Sequence, residues 1–397
     1  MEINSKQGGA PGAQPPIRVA LLGTVIDFGG IERVLLTMLR NMDAEVELIP
    51  ILYTRTDIKE KSFFESLRDL EIPHDTIYVN TRRVKYLNPV RNILETIACF
   101  RGKRFDLIHT HGYRANLIGL AASRWFGLPI VTTCHGYISI DRQLARYNKL
   151  DVFLLRYFDR VIAVSDRMKM DLVEKGVHPG RISVIINAAG EGIGGGGTAA
   201  RTETRSRLGI HDGVFVYGFV GRLSEEKGLD YLIDAVKGLS YEKEPWRLII
   251  LGDGPQRQAL ENAVRESGLT PQVLFAGFQS DTEAWYPAMD AIVLPSLTEG
   301  TPMVLLEAMA RGIPVIATAV GGVPAILFGK ENGILVPPAD STRLLEAMRT
   351  VAGDPDLCRR LSDGGIRSVQ ERYDVPSWIR KLRDVYSTTL RERRRTA

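Results

Sequence analysis

Short apolar runs recur along the chain, and most are followed by a glycine-containing turn and then by a stretch of helical period. Examples are residues 17–23, which are apolar except for Arg18, and residues 214–220 and 248–251. Unbroken apolar runs of this length predict strands that are buried on both faces, as in a parallel sheet. Strands that alternate with helices predict doubly wound α/β layers. Because a domain commonly spans about 100–200 residues, the 397 residues predict two such domains.

The unit at residues 290–310 is the most informative about chemistry. Residues 290–294 predict a buried strand and a helical pattern begins near Pro302, so Glu299 lies where the strand gives way to the helix. The first turn of a helix has unpaired N–H groups and the positive end of the helix dipole, which together bind anions. Glu307 follows two helical turns later. The two carboxylates can accept from hydroxyl groups while the N–H donors of the helix start bind a phosphate, which suits a ligand in which a phosphate joins two polyhydroxyl groups. The alternative is that Glu299 only caps the helix and that Glu307 is exposed.

The same stretch carries a resemblance. EGTPMVLLEAMARGIPVIAT, which begins at Glu299, resembles the signature of the retaining family 4 glycosyltransferases. That family has the α/β fold called GT-B, in which two doubly wound, Rossmann-like domains face each other across a cleft. The resemblance implies that Glu299 contacts the donor sugar and that Glu307 holds the nucleotide ribose. From their place at the helix start, the amides of Gly300 and Thr301 are expected to stabilise the charge on the leaving phosphate.

Two cations follow the predicted strand at residues 214–220, in the sequence GRLSEEKG. Arg222 can grip a diphosphate through its forked N–H groups, and Lys227 can act as a point charge. The glycine spacing and the Lys-Ser/Thr pair of a P-loop are missing. The pattern resembles the diphosphate site of family 4 enzymes, and surface salt bridges to Glu225 and Glu226 are the alternative.

Glycines mark further candidate donor-binding positions. Gly29 and Gly30, in the sequence GGIER, follow the first strand, but the Gly-x-Gly-x-x-Gly fingerprint of a dinucleotide site is absent. GGIER resembles the start of the first helix in family 4 enzymes, where the glycines let the backbone approach the donor diphosphate or the acceptor; a plain tight turn is the alternative. The resemblance adds Gly252 in a later glycine-rich turn, and Phe278, whose backbone would meet the nucleotide base.

His111 and His135 each close a predicted strand, which is where open α/β sheets bind ligands. The resemblance places His135 near the reacting centre of the donor sugar and makes His111 a candidate on the acceptor side. On the residues alone, each is more often a structural histidine. A metal site that includes Cys134 is disfavoured, because no acidic ligand has a regular spacing to these side chains.

The chain order predicts five segments. Residues 1–16, rich in Gly, Pro and Gln, predict a disordered lead-in, and residues 17–190 an acceptor-side domain. Residues 191–205 contain a four-glycine run and predict a linker. The sequence NAAGE at the start of this linker stands where the family usually has Asn-Gly-Val-Asp. Residues 206–375 predict the nucleotide-sugar domain, and residues 376–397 a basic helix that in this fold crosses back to the first domain.

Charge is distributed unevenly around the net value of +4. Residues 1–190 have 26 basic and 20 acidic side chains, or +6, whereas residues 191–375 have 18 and 25, or −7. This asymmetry argues against a general nucleic-acid binder. Residues 82–104 hold seven basic side chains between apolar ones and can dock on an anionic membrane, although a solvated basic face is the commoner case. Three scattered cysteines and the absence of a long apolar run predict a cytosolic protein, with contact at the inner face of the membrane as a further expectation.

We therefore expect a retaining glycosyltransferase in which Glu299, His135, Arg222 and Lys227 form the catalytic set. The expected donor is a nucleotide sugar, with UDP favoured over GDP, and the expected acceptor is a saccharide hydroxyl, lipid-linked by the habits of the family. No metal or other cofactor is expected, because the Asp-x-Asp pattern of metal-dependent enzymes occurs only at residues 354–356, with no strand before it. A nucleotide-sugar 2-epimerase of the same fold and a non-catalytic nucleotide-sugar-binding module are the alternatives.

Overall fold

The computed structural model describes residues 15–25, 29–55, 62–79, 89–136, 142–189, 197–239 and 244–396. Three sequence predictions fall largely or partly outside this part of the chain. They concern the lead-in, the basic residues at 82–88 and the glycine run of the linker.

The first half of the described chain forms a seven-stranded parallel sheet with helices between the strands. The strands are β1 (Ile17–Thr24), β2 (Val46–Arg55), β3 (Asp75–Val79), β4 (Leu107–His111), β5 (Ile130–Cys134), β6 (Arg160–Ala163) and β7 (Ile182–Val184). The helices are α1 (Gly30–Asn41), α2 (Ser62–Asp69), α3 (Pro89–Phe100), α4 (Tyr113–Phe126), α5 (Arg142–Leu155) and α6 (Asp166–Glu174). The strand order is β3-β2-β1-β4-β5-β6-β7.

The second half forms a six-stranded parallel sheet. Its strands are β8 (Phe215–Val220), β9 (Trp246–Leu251), β10 (Val273–Gly277), β11 (Ala291–Leu294), β12 (Val315–Thr318) and β13 (Ile334–Val336). The helices are α7 (Thr198–Arg207), α8 (Leu229–Leu239), α9 (Arg257–Glu266), α10 (Met303–Ala310), α11 (Val323–Ile326), α12 (Ser341–Gly353), α13 (Pro355–Arg372) and α14 (Val375–Thr396). The strand order is β10-β9-β8-β11-β12-β13.

Both sheets have the Rossmann order, in which the chain starts at a central strand, winds to one edge and then returns to wind to the other. Strands β4, β5, β11 and β12 are buried at every position, as expected for strands whose two faces are both covered by helices. The prediction of two doubly wound α/β domains is confirmed. In such sheets the order reverses beside β1 and β8, and the carboxyl ends of the strands at this point form the ligand crevice.

Helix α7 begins at Thr198, inside the segment predicted as a linker, and it packs against the second sheet. Arg201 and Arg205 each donate to a different carboxylate oxygen of Asp290 at 2.5 Å, and Asp290 also accepts from the N–H of Val216 at 2.7 Å. The linker prediction is therefore too long at its carboxyl-terminal end. The sequence pattern did not predict this helix, because it is held against the second sheet by ion pairs and not by an apolar stripe.

Helix α14 follows the second domain in sequence but contacts the first. Arg383 donates to Asp43 at 3.0 Å and to Glu45 at 2.6 Å, and the hydroxyl of Tyr386 lies 2.8 Å from Nδ1 of His109. The carboxyl-terminal helix thus contacts a buried side chain of strand β4 in the first domain through the hydroxyl of Tyr386. Within the described residues, none of the helices combines the length and the apolarity needed to cross a bilayer.

Candidate active site

Glycines at the carboxyl ends of the second sheet let neighbouring loops touch through their backbones. A Cβ added to Gly321, whose φ is +54°, would lie 1.7 Å from the carbonyl oxygen of Glu299. A Cβ on Gly252 would lie 1.8 Å from the carbonyl oxygen of Gly221. Any larger residue would collide with backbone at both positions. Gly252, predicted to bind the donor, therefore already has a structural role that needs no ligand.

Glu299 and Lys227, predicted from separate motifs, are in direct contact. Oε1 of Glu299 accepts from Nζ of Lys227 at 2.6 Å and from Oγ of Ser296 at 2.7 Å. The Glu299 side chain is only 7% exposed. The alternative of surface salt bridges to Glu225 and Glu226 is not observed among the described residues, where Lys227 pairs with Glu299 and Glu226 accepts from Ser224. Arg222 lies exposed on the same turn.

The start of α10 lies between the two domains. The hydroxyl of Thr301 donates to the carbonyl of Val164 at 2.6 Å, and a Cβ on Gly300 would lie 2.1 Å from the carbonyl oxygen of His135. No described group accepts a hydrogen bond from the N–H of Gly300 or of Thr301. These amides are therefore available to an anion at the helix start. Pro302, predicted as the first helical residue, is instead the N-cap with ψ of 114°.

Glu307 is buried and joins the two domains. Its Oε1 accepts from Nη1 of Arg33, on α1 of the first domain, at 2.6 Å, and its Oε2 accepts from the hydroxyl of Tyr286 at 2.7 Å. Nη2 of Arg33 also donates to Thr282 at 2.8 Å. Burial alone would lower the pKa of Arg33, but Glu307 keeps that pKa above its usual value. The alternative of an exposed Glu307 is therefore wrong.

The histidines form a stacked group at the carboxyl ends of β4 and β5. Nδ1 of His111 lies 2.8 Å from Nε2 of His135, while the two nitrogens of His109 contact Tyr386 and Thr133. Burial lowers the pKa of His109 to about 3 and of His135 to about 4, and it lowers the pKa of His111 in the same direction. All three rings are therefore neutral near pH 7. His111 is 1% exposed in this conformation, and its expected role on the acceptor side stays a prediction.

Three further residues predicted to bind the donor, Gly29, Gly30 and Phe278, lie at the start of a loop or helix. None of them makes a contact with the described part of the chain that indicates a role in donor binding. Gly29 is the N-cap of α1, and its N–H donates to the Glu32 carboxylate at 3.0 Å. A Cβ on Gly30 would meet nothing within 4 Å. Phe278 follows β10 and is partly exposed. Donor binding by these three residues stays a prediction.

Acidic residues that could suggest a metal have other partners. Asp354 caps α13 by accepting from the N–H of Leu357, and Asp356 pairs with Arg359. Within the part of the chain that the structure describes, no group of three His, Cys, Asp or Glu side chains is arranged to hold a metal ion.

Two family models match the chain in succession. The model described as Glycosyltransferase Family 4 matches residues 28–189, and the model described as Glycosyl transferases group 1 matches residues 200–368. The first match covers β2 to β7 of the first sheet, and the second covers all six strands of the second sheet. The chain is a family 4 glycosyltransferase of the GT-B fold.

Relatives of this glycosyltransferase include enzymes that act on different sugars. It is 26% identical over 314 residues to the UDP-Gal:alpha-D-GlcNAc-diphosphoundecaprenol alpha-1,3-galactosyltransferase of Escherichia coli, covering 77% of this chain and 81% of that one. It is 27% identical over 259 residues to the lipopolysaccharide core biosynthesis mannosyltransferase LpsB of Rhizobium meliloti, covering 62% and 70%. Anabaena HepE, solved with UDP and glucose, has a TM-score of 0.81 at 23% identity over 94% of this chain and 100% of that one, which shows the shared fold.

Sequence reasoning missed three side chains of the glycosyltransferase that surround Glu307. Arg33 is the last residue of the GGIER motif, but the motif by itself indicates no role for it. No sequence pattern pointed to Thr282 or Tyr286. The sequence signal that could have pointed to Arg33 was its positive charge in the first turn of α1, a helix whose other face is apolar.

Proposed function

We propose that this glycosyltransferase moves a sugar, with retention at the anomeric carbon, from a UDP-sugar to a hydroxyl of a lipid-linked saccharide. The arrangement at the start of α10 supports this most strongly. Glu299 is paired with Lys227 there, beside the amides of Gly300 and Thr301, which donate to no described group. A cation, a carboxylate and two N–H donors at one helix start fit a diphosphate that is joined to a sugar.

The Glu299–Lys227 pair addresses an electrostatic problem. A carboxylate that is 7% exposed would repel a nearby diphosphate, but Lys227 at 2.6 Å offsets its charge. In the proposed complex Lys227 and Arg222 face the phosphates, while Glu299 and His135 position the sugar. Glu307, with both oxygens oriented by Arg33 and Tyr286, accepts from the ribose hydroxyls.

The proposed reaction takes place on one face of the donor sugar. The acceptor oxygen forms a bond to the anomeric carbon, the bond from that carbon to the β-phosphate oxygen breaks, and the acceptor proton passes to the departing phosphate. The products are the glycosylated acceptor and UDP. Lys227, Arg222 and the two amides stabilise the charge that develops on the leaving phosphate. Glu299 serves as a hydrogen-bond acceptor for the sugar: Lys227 and Ser296 both donate to its Oε1, and its Oε2 accepts from no other described group.

Donor and acceptor classes are proposed from the relatives. The Escherichia coli relative is named for UDP-Gal and a diphosphoundecaprenol acceptor, and HepE was solved with UDP-glucose. A GDP-sugar is the second candidate donor, since LpsB is named a mannosyltransferase.

A donor panel tests this function. UDP-glucose, UDP-galactose, UDP-N-acetylglucosamine and GDP-mannose are incubated with and without a diphosphoundecaprenol-linked sugar, with and without EDTA, and nucleotide release is measured. We expect UDP release that requires acceptor and is unchanged by EDTA, with a product whose anomeric configuration by NMR matches the donor. Acceptor-independent exchange at the sugar would support an epimerase, and an inverted product would contradict retention.

Peripheral membrane contact through the first domain is part of this proposal. Val90 and Leu94, one turn apart on α3, are each 61% exposed, and the first 190 residues have a net charge of +6. Apolar side chains with surrounding positive charge favour anionic lipid surfaces.

We therefore expect Leu94→Glu to reduce cosedimentation with phosphatidylglycerol-containing vesicles several-fold, because it removes apolar area and adds negative charge. Leu274→Glu, a similar change at a 39% exposed position of the second domain, is the matched control. Equal vesicle binding by wild type, both variants and a neutral-lipid sample would contradict membrane contact through α3.

A further inference from the structure

His111 has an unusual environment for a buried imidazole. It lies two residues after His109 on β4, so both rings are on the same face of the sheet, with centroids 4.5 Å apart. Its Nδ1 lies 2.8 Å from Nε2 of His135, and its Nε2 is buried with no hydrogen-bond partner among the described residues. His135 is partly exposed, and no described group bonds to its Nδ1.

These contacts determine where the protons lie. A neutral imidazole has one N–H and one bare nitrogen. Buried N–H groups without an acceptor are rarer than buried acceptors without a donor. The proton of His111 therefore belongs on Nδ1, where it is donated to His135, rather than on the unpartnered Nε2. Because Nε2 of His135 then accepts this proton, the proton of His135 itself must be on Nδ1.

His109 keeps this arrangement in place. Both of its nitrogens have partners, the hydroxyls of Tyr386 at 2.8 Å and of Thr133 at 2.9 Å. Because both of its nitrogens are hydrogen-bonded, the His109 ring has a fixed orientation where it packs against His111. The carboxyl-terminal helix therefore supports the histidine pair indirectly, through Tyr386.

We propose that His111 is a positioning residue that fixes His135 as the Nδ1–H tautomer, so that His135 offers a hydrogen-bond donor to an oxygen of the donor sugar. The proposal rests on the proposed function, in which His135 faces that sugar. A sugar hydroxyl or ring oxygen can accept from this N–H, whereas the opposite tautomer would present only a bare nitrogen to it.

The tautomer can be observed directly, without turnover. The chain has six histidines, so the ¹⁵N-histidine-labelled protein gives a tractable long-range ¹H–¹⁵N spectrum. The signal that is lost in His135→Gln identifies His135. We expect a protonated Nδ1 and an unprotonated Nε2 for His135. A protonated Nε2 would overturn the proposal, whatever the outcome of the transfer assay.

Two substitutions at the same site separate positioning from packing. His111→Asn keeps an N–H donor near the position of Nδ1, whereas His111→Asp offers only acceptor oxygens and should move the His135 proton to Nε2. Because a single neutral hydrogen bond accounts for about tenfold at most, we expect kcat of His111→Asp to lie about tenfold below that of His111→Asn, with matched circular dichroism spectra. An unchanged His135 tautomer in folded His111→Asp would overturn the proposal. Equal kcat values alongside a reversed tautomer would instead count against the proposed role of His135 in transfer.

Discussion

Replacing Lys227 with methionine is expected to lower kcat by about 100–1000-fold, the usual effect of removing one group that stabilises charge in a transition state. Lys227 lies 2.6 Å from Glu299 beside the amides at the start of α10, and the proposed leaving group gains negative charge there. Methionine retains most of the stem and removes only the ammonium. Single-turnover kinetics with a saturating donor measure the effect on the chemical step.

Lys237→Met is the matched control for this prediction. Lys237 lies on α8 and pairs with Asp234 at an exposed position, so its loss is expected to leave kcat within about twofold. The thermal midpoint of each variant shows whether Glu299, left without its cation, destabilises the fold. A folded Lys227→Met enzyme with wild-type kcat would show that the diphosphate is stabilised elsewhere.

Replacing Glu307 with glutamine is expected to raise the Kd for UDP by about 10–100-fold, since a hydrogen bond to a charged group contributes about 1.5–3 kcal/mol. The amide keeps the shape of Glu307 but removes its charge and one of the two oxygens that accept from Arg33 and Tyr286. Isothermal titration with UDP measures the affinity. The fall in kcat at saturating donor is expected to be smaller than the change in Kd.

Two comparisons make the Glu307 result interpretable. Glu346→Gln removes a carboxylate from an exposed pair with Arg343 on α12, and it is expected to leave the Kd unchanged. UMP titrated in parallel shows whether the loss concerns the nucleoside or the second phosphate. An unchanged Kd in folded Glu307→Gln would remove Glu307 from the ribose site.

Most of the fold was predictable because each strand has a local signature. Strands β8 and β11 are continuous apolar runs, and β1 has one from Val19 to Gly23, as burial on both faces of a parallel sheet favours. Helix α7 was missed for the complementary reason. It has Arg201 and Arg205 as its anchors, and their partner Asp290 is more than 80 residues away in the chain.

The sequence motifs gave the candidate site residues but not the contacts between them. Glu299, Glu307 and Lys227 stand in motifs with their own chemistry, and resemblance to family 4 enzymes suggested a role for each. Their partners were not predictable. His111 shows the limit most clearly, because its strand-end position suggested a ligand contact whereas its 1% exposure shows a buried ring.

The sequence by itself determined the α/β class, the alternation of strands with helices, and the residue types that end each strand, because these depend on periodicities a few residues long. Only the tertiary structure decided that Arg33 contacts Glu307 across 274 residues and that Lys227 contacts Glu299 across 72. The physical reason is that such pairs depend on how two sheets meet. A local pattern of burial contains no information about which strand ends will face each other.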